Sequence, residues 1–137
     1  MLSYDEIRKY RDANNEFTKY MGIVTNALDE GYAEGEMEIK KEHENVVGSL
    51  HGGVLFTLAD TIGGAAASSR GMMVTTVSSD FHFLTAGMDV KKLYATAKEL
   101  KHGKKLSVYD VKVCSDQQKL LAYGVFTYYN LGIPFSL

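Results

Sequence analysis

Proline and cysteine are almost missing from this chain, with one of each in 137 residues, and tryptophan is absent. The lone Cys114 excludes an intrachain disulfide framework and gives no basis for a cysteine-based zinc site; it agrees with a reducing compartment. A basic surplus is missing as well. Fifteen Lys and Arg face 17 Asp and Glu, a net charge of −2, which is not the footprint of a nucleic-acid-binding protein. The opening stretch MLSYDEIRKYRDANNEF is too charged for a signal peptide or a membrane span. A soluble, cytoplasmic protein with no nucleic-acid or membrane partner is therefore expected. No repeat, low-complexity tract or linker divides the sequence. One domain over 1–137 is expected, and with 45% hydrophobic residues it can bury a core.

What is present follows a clear order. Residues 4–20 predict a short amphipathic helix, with Ser3 as N-cap and Ile7, Tyr10 and Phe17 as apolar contacts. Two strand-like runs follow, GIVTNALDE and YAEGEMEIK, joined near Gly31. In the second, Tyr32, Glu34, Glu36 and Glu38 alternate with Ala33, Gly35, Met37 and Ile39, the period of a half-buried strand. Residues 41–53 read as loop. From about 53 to 69 the spacing turns helical, with Leu55, Leu58, Ile62, Ala65 and Ala66 on one stripe. Four more strands are predicted, roughly 73–84, 90–100, 105–115 and 119–130, separated by the turn signals TAGMD, KHGKK and SDQQK. Strands grouped around one apolar helix indicate α+β with an antiparallel sheet wrapped around that helix.

The helix carries one anomaly. Between Val46 and Ser69 the only formally charged side chain is Asp60. A carboxylate buried, ionised and unpaired costs several kcal/mol. At about 100° per residue, Asp60 lies roughly opposite the Leu55–Leu58–Ile62 stripe, beside Phe56, Gly63, Gly64 and Ala67. Two readings stand at this point: a surface aspartate, or a carboxylate facing a cleft or subunit interface. Small neighbours would let another backbone approach.

The segment begins LHGG. The first backbone N–H groups of a helix are unpaired and sit at the positive end of its dipole. Glycines at 52 and 53 would leave those amides open to a substrate oxygen, which is how a backbone oxyanion hole is built, although a Gly pair also simply makes a turn. Gly52 and Asp60 are eight residues apart, about 12 Å along a helix. A base and an oxyanion hole must both lie within about 3 Å of the reacting centre. One helix cannot bring both to one carbonyl, so if both act, two chains share the site.

Asn45, followed by HGG from His51 and by LADT around Asp60, and then TTVSSDFHFLTAG, resembles the hotdog-fold acyl-CoA thioesterases of the phenylacetic-acid-degradation (PaaI-like) type. The similarity runs from about residue 20 to the last strand. It implies a hotdog fold: an antiparallel sheet of five to six strands around one long central helix, about 53–69, plus a short N-terminal helix. It also implies hydrolysis of acyl-CoA to a carboxylic acid and free CoA, with no metal and no cofactor, since coenzyme A belongs to the substrate. By position, Asp60 matches the catalytic carboxylate, as general base or nucleophile, and Gly52 the amide that polarises the carbonyl. Asn45 and His51 match side chains that place the thioester or water, and Ser78 a serine that orients the water. Gly53, Ser79, Lys101 and Lys104 are the candidate substrate contacts. The resemblance further implies a homodimer or dimer of dimers with sites between subunits. His82 departs from the family pattern and receives no role, and because the helix extends as GGAAASSRG the acyl pocket is not matched to that of any relative of known substrate.

Other constellations are weaker. Ser78, Asp80 and His82 share a strand face, but side chains two apart project in parallel from Cα atoms about 7 Å apart, whereas a triad converges. His43, His51 and His82 lack metal-ligand spacing. The lysines at 98, 101, 104 and 105 read as a solvated turn or as a contact for coenzyme A phosphates. Two rival functions are a non-catalytic acyl-CoA sensor, which the intact Asp60 opposes, and a 3-hydroxyacyl dehydratase, for which no His-plus-acid signature is found.

Overall fold

The computed structural model describes residues 1–137. Its first helix, α1 (Tyr4–Asn14), starts as the sequence predicts. Ser3 Oγ accepts from Glu6 N–H at 3.1 Å and Glu6 Oε1 accepts from Ser3 N–H at 3.0 Å, a reciprocal capping box. The expected single helix over 4–20 is, however, two. Asn15 leaves the helical region (φ −97°, ψ 93°), ending α1 and capping α2 (Glu16–Met21), whose turn closes on Gly22 at φ 78°. Asparagine favours such local side-chain bonds over helix continuation. The break takes Phe17 off the Ile7 side: Ile7 is fully buried, while Phe17 is 60% exposed. Phe17 is thus not the core contact that the helical spacing suggests.

Six strands form one sheet: β1 (Val24–Asp29), β2 (Tyr32–Glu38), β3 (Met72–Phe83), β4 (Lys92–His102), β5 (Leu106–Ser115) and β6 (Leu120–Pro134). Their order is β1-β2-β4-β5-β6-β3, and every pairing is antiparallel. The alternation read in β2 is realised. Ala33, Gly35 and Met37 are buried, and Glu34 and Glu38 face water.

The long helix, α3 (Gly52–Ser68), lies in the curl of the sheet. Its predicted stripe is the core: Leu58, Ile62, Ala65 and Ala66 are inaccessible and Leu55 nearly so. They pack with Met37, Leu93, Tyr109, Val111 and Phe126 from the sheet. Burying a side chain such as Leu or Ile contributes about 1.5–3 kcal/mol. Gly35 makes room on β2, since a Cβ there would overlap the Ile62 side chain. β1 and β3 are the edges, so β3 runs beside α3 with one backbone edge unpaired.

Candidate active site

Asp60 is neither buried alone nor fully on the surface. It is half-buried on the floor of a cleft of about 440 Å³, between α1–α2 on one side and β3 on the other. Its Oδ1 accepts from Thr76 Oγ1 at 2.7 Å and from Tyr128 Oη at 3.1 Å. Tyr128 Oη also lies 2.9 Å from the Asp60 carbonyl oxygen. Oδ2 carries no hydrogen bond. A carboxylate in an apolar helix is tolerable here because two hydroxyls replace the lost water.

The small residues beside Asp60 do a different job from the one expected. They admit side chains of the same chain, not a second backbone. A Cβ on Gly63 would overlap the Tyr128 hydroxyl, and one on Gly64 would sit 3.2 Å from Arg11. Arg11 reaches in from α1, donating to Ser68 Oγ at 3.0 Å and to the Thr61 carbonyl at 3.2 Å. Burial pushes the Arg11 guanidinium below its usual pKa, opposed by Tyr128, Asp12 and Asp60. Burial and then the Asp60 charge hold the Tyr128 phenol well above its usual pKa, so it stays a proton donor.

The helix start is equally specific. His51 is the N-cap (φ −65°, ψ 135°), and its Nδ1 accepts from Gly53 N–H at 2.8 Å. The neutral ring therefore carries its proton on the exposed Nε2. Gly53 allows this fold-back, because its Cβ would meet His51 Nδ1 at 3.0 Å. Gly53 N–H is taken by His51, and Gly52 N–H has no hydrogen-bond partner. A second cleft of about 470 Å³ opens over His51 and Gly53, sharing Phe17 and Thr57 with the Asp60 cleft.

The other predicted residues lie at varied distances from this centre. Asn45 organises its own loop: its Nδ2 donates to Ser49 Oγ at 2.8 Å, and its Oδ1 accepts from Val47 and Ser49 N–H at 3.1 Å each. Ser78 is opposite Thr127, the alternate face from the buried Phe126 and Tyr128, and makes no bond to Asp60. Ser79 is opposite Phe126 and so is on the helix side. A register shift between Thr76 and Ser78 separates them, and it is Thr76 that reaches the carboxylate. Lys101 and Lys104 lie at the β4–β5 turn, beside the end of α3 where Arg70 meets Glu99 at 2.6 Å. His43 is structural, its Nδ1 accepting from Lys40 N–H at 2.9 Å. His82 pairs with Asp80 at 3.2 Å, and Ser78 is not part of that contact.

Sequence reading missed Thr76, Tyr128 and Arg11. TTVSSDF held Thr76 within a quoted motif, yet only the bulge decides which hydroxyl meets Asp60. Tyr128 is 68 residues from its partner and had no local signal.

A single antiparallel sheet curled around one helix, with a half-buried carboxylate and a glycine-rich helix start, defines a hotdog-fold protein. Residues 47–122, more than half of the chain, match the family model described as thioesterase superfamily. The Escherichia coli K12 acyl-coenzyme A thioesterase PaaI is 36% identical over 80% of this chain and 78% of its own. Human acyl-coenzyme A thioesterase 13 is 30% identical over 91% and 92%. The solved structure of the E. coli PaaI protein superposes with a TM-score of 0.92 at 30% identity, covering 97% of this chain and 96% of that one. The chain belongs to the thioesterase superfamily, as a PaaI-like hotdog thioesterase.

Proposed function

We propose that this protein hydrolyses acyl-CoA thioesters as a homodimer, in sites that join Asp60 of one protomer to the partner's Gly52. The observation that carries this reading is the pairing of two unsatisfied groups on one helix. Asp60 Oδ2 is free at the cleft floor, and Gly52 N–H is free at the helix start. Along α3 they are about 12 Å apart, too far to act on one carbonyl. A second copy solves this, and the unpaired edge of β3, which exposes Val77 and Phe83, is the surface along which it joins.

In such a site the thioester oxygen accepts from Gly52 N–H while Asp60 Oδ2 takes a proton from water. The water oxygen bonds the carbonyl carbon, the intermediate collapses with loss of the C–S bond, and the proton passes from Asp60 to the departing thiolate. Alternatively Oδ2 attacks the carbon itself and expels the thiolate, and water then attacks the Asp60 carboxyl carbon of the mixed anhydride to release the acid; single turnover in ¹⁸O-water separates this route from the first, since it labels the enzyme's carboxylate and the first does not. His51 Nε2–H and the second Asn45 Nδ2–H are the remaining donors that orient thioester or water. Ser78, on an exposed edge strand, enters only across the subunit boundary, and Ser79, Lys101 and Lys104 are the remaining candidate CoA contacts.

The test is thiol release from a panel of acyl-CoA esters. Asp60→Asn is expected to lower turnover by about 10³ on the best substrate while keeping the circular dichroism of the parent. Turnover at the parent rate would overturn the reading.

A further inference from the structure

Thr76 and Tyr128 are direct register partners on β3 and β6, yet both hydroxyls end on the same oxygen of a third element, Asp60 Oδ1 on α3. Cross-strand partners have Cβ atoms about 4.5–5.5 Å apart, so a side chain between them can be held from two sides. We propose that these two residues are positioning residues for the reaction: together they lock the Asp60 carboxylate with Oδ1 occupied and Oδ2 as the one oxygen presented to substrate. The proposal deepens the thioester reading above and rests on it.

Three observations converge on this role. The Tyr128 ring is 1% exposed, and its hydroxyl needs a partner, but the Asp60 carbonyl at 2.9 Å already supplies one. The additional approach to Oδ1 at 3.1 Å ties the side chain to its own backbone. Thr76, by contrast, is exposed and has no burial to satisfy, and it still donates to Oδ1 at 2.7 Å. Finally, Gly63 is the position at which the phenol passes under the helix, and any side chain there would occupy the place of the hydroxyl.

The consequence is geometric. A free aspartate rotates about its terminal torsion and offers either oxygen in many directions. With Oδ1 held by the Thr76 hydroxyl and by the one Tyr128 proton, which it shares with the Asp60 carbonyl, Oδ2 is fixed in direction before substrate arrives, and about an ångström of misplacement can cost about 10²-fold in rate. The two hydroxyls touch the carboxylate and not the reacting atoms, so their loss falls on the chemical step and not on substrate binding.

The experiment compares kcat and KM for Thr76→Val, Thr76→Ser, Tyr128→Phe and Asp60→Asn on the best acyl-CoA substrate. Thr76→Val and Tyr128→Phe should each lower kcat by about 10-fold with KM unchanged, and Thr76→Ser should restore the parent kcat. Should Tyr128→Phe fail to fold, Thr76→Val on its exposed strand carries the test alone. Parent kcat in Thr76→Val, a rise in KM alone, or failure of Thr76→Ser to recover would overturn the positioning role while the inactivity of Asp60→Asn left the thioester reading standing. An active Asp60→Asn enzyme would overturn both.

Discussion

The two ends of α3 are built on opposite principles. At the C-terminal end, polar groups are matched inside the fold. Ser69 Oγ accepts from Gly31 N–H at 2.8 Å, and Arg70 joins Glu30 at 2.9 Å and Glu99 at 2.6 Å. Tyr109 Oη donates to Glu99 at 3.1 Å, and only Arg70 Nε is left over. At the N-terminal half, Gly52 N–H and Asp60 Oδ2 are left without partners, each beside a cleft of its own. One helix therefore has an end where polar groups are closed and an end where, on the proposed reading, two are kept for a substrate. Stability is concentrated where hydrogen bonds are closed, and chemistry where they are withheld for a substrate.

This contrast can be attacked at both ends. After the loss expected for Asp60→Asn, the next largest effect belongs to Gly52→Pro. Gly52 is the first helical residue, where proline is well tolerated, and His51 already holds the extended conformation that a residue before proline requires. The change removes the free Gly52 amide, and the edge of the Phe83 ring, 3.2 Å from the new Cβ, has to give by only a few tenths of an ångström. A fall in kcat of about 10² with an unchanged melting temperature is expected. Parent activity would remove Gly52 from the oxyanion role.

A smaller effect, and of another kind, is expected at the anchored end. Burial alone would raise the Glu99 pKa, but the hydrogen bonds from Arg70 and Tyr109 and the Arg70 charge outweigh it and hold the carboxyl below its ordinary range. A lowered folded-state pKa contributes stability that is present above the unfolded value and lost as pH falls through the folded one. Glu99→Gln should therefore cost about 1–3 kcal/mol near neutral pH by denaturant unfolding. The gap to the parent should shrink as pH drops below the usual carboxylate range, with kcat unaffected throughout. A loss of activity instead of stability would erase the division between the two ends.

Much of this was legible beforehand because it is periodic or local. Leu55, Leu58 and Ile62 announce the buried face of α3 by spacing, β2 announces itself by alternation, and Ser3 is legible as the N-cap of α1. Asp60 and HGG stood out because charge and glycine are unusual in an apolar helix. The rest depends on contacts that sequence spacing does not encode. Whether Gly63 and Gly64 faced a second chain or Tyr128 and Arg11 was decided by residues more than fifty positions away. The register shift after Thr76 decided that this hydroxyl, and not that of Ser78, meets Asp60. Asn15 broke a helix whose apolar spacing continued through it.

The central claim is that Asp60 and Gly52 act in one site only across two chains. It is tested most directly by mixing two impaired proteins, Asp60→Asn and Gly52→Pro, under conditions that exchange subunits, and measuring thioester hydrolysis. In a two-fold dimer with shared sites, each mixed pair regains one intact site, so an equal mixture should recover roughly a quarter of the parent activity. No recovery, with subunit exchange verified by native mass spectrometry, would contradict the account.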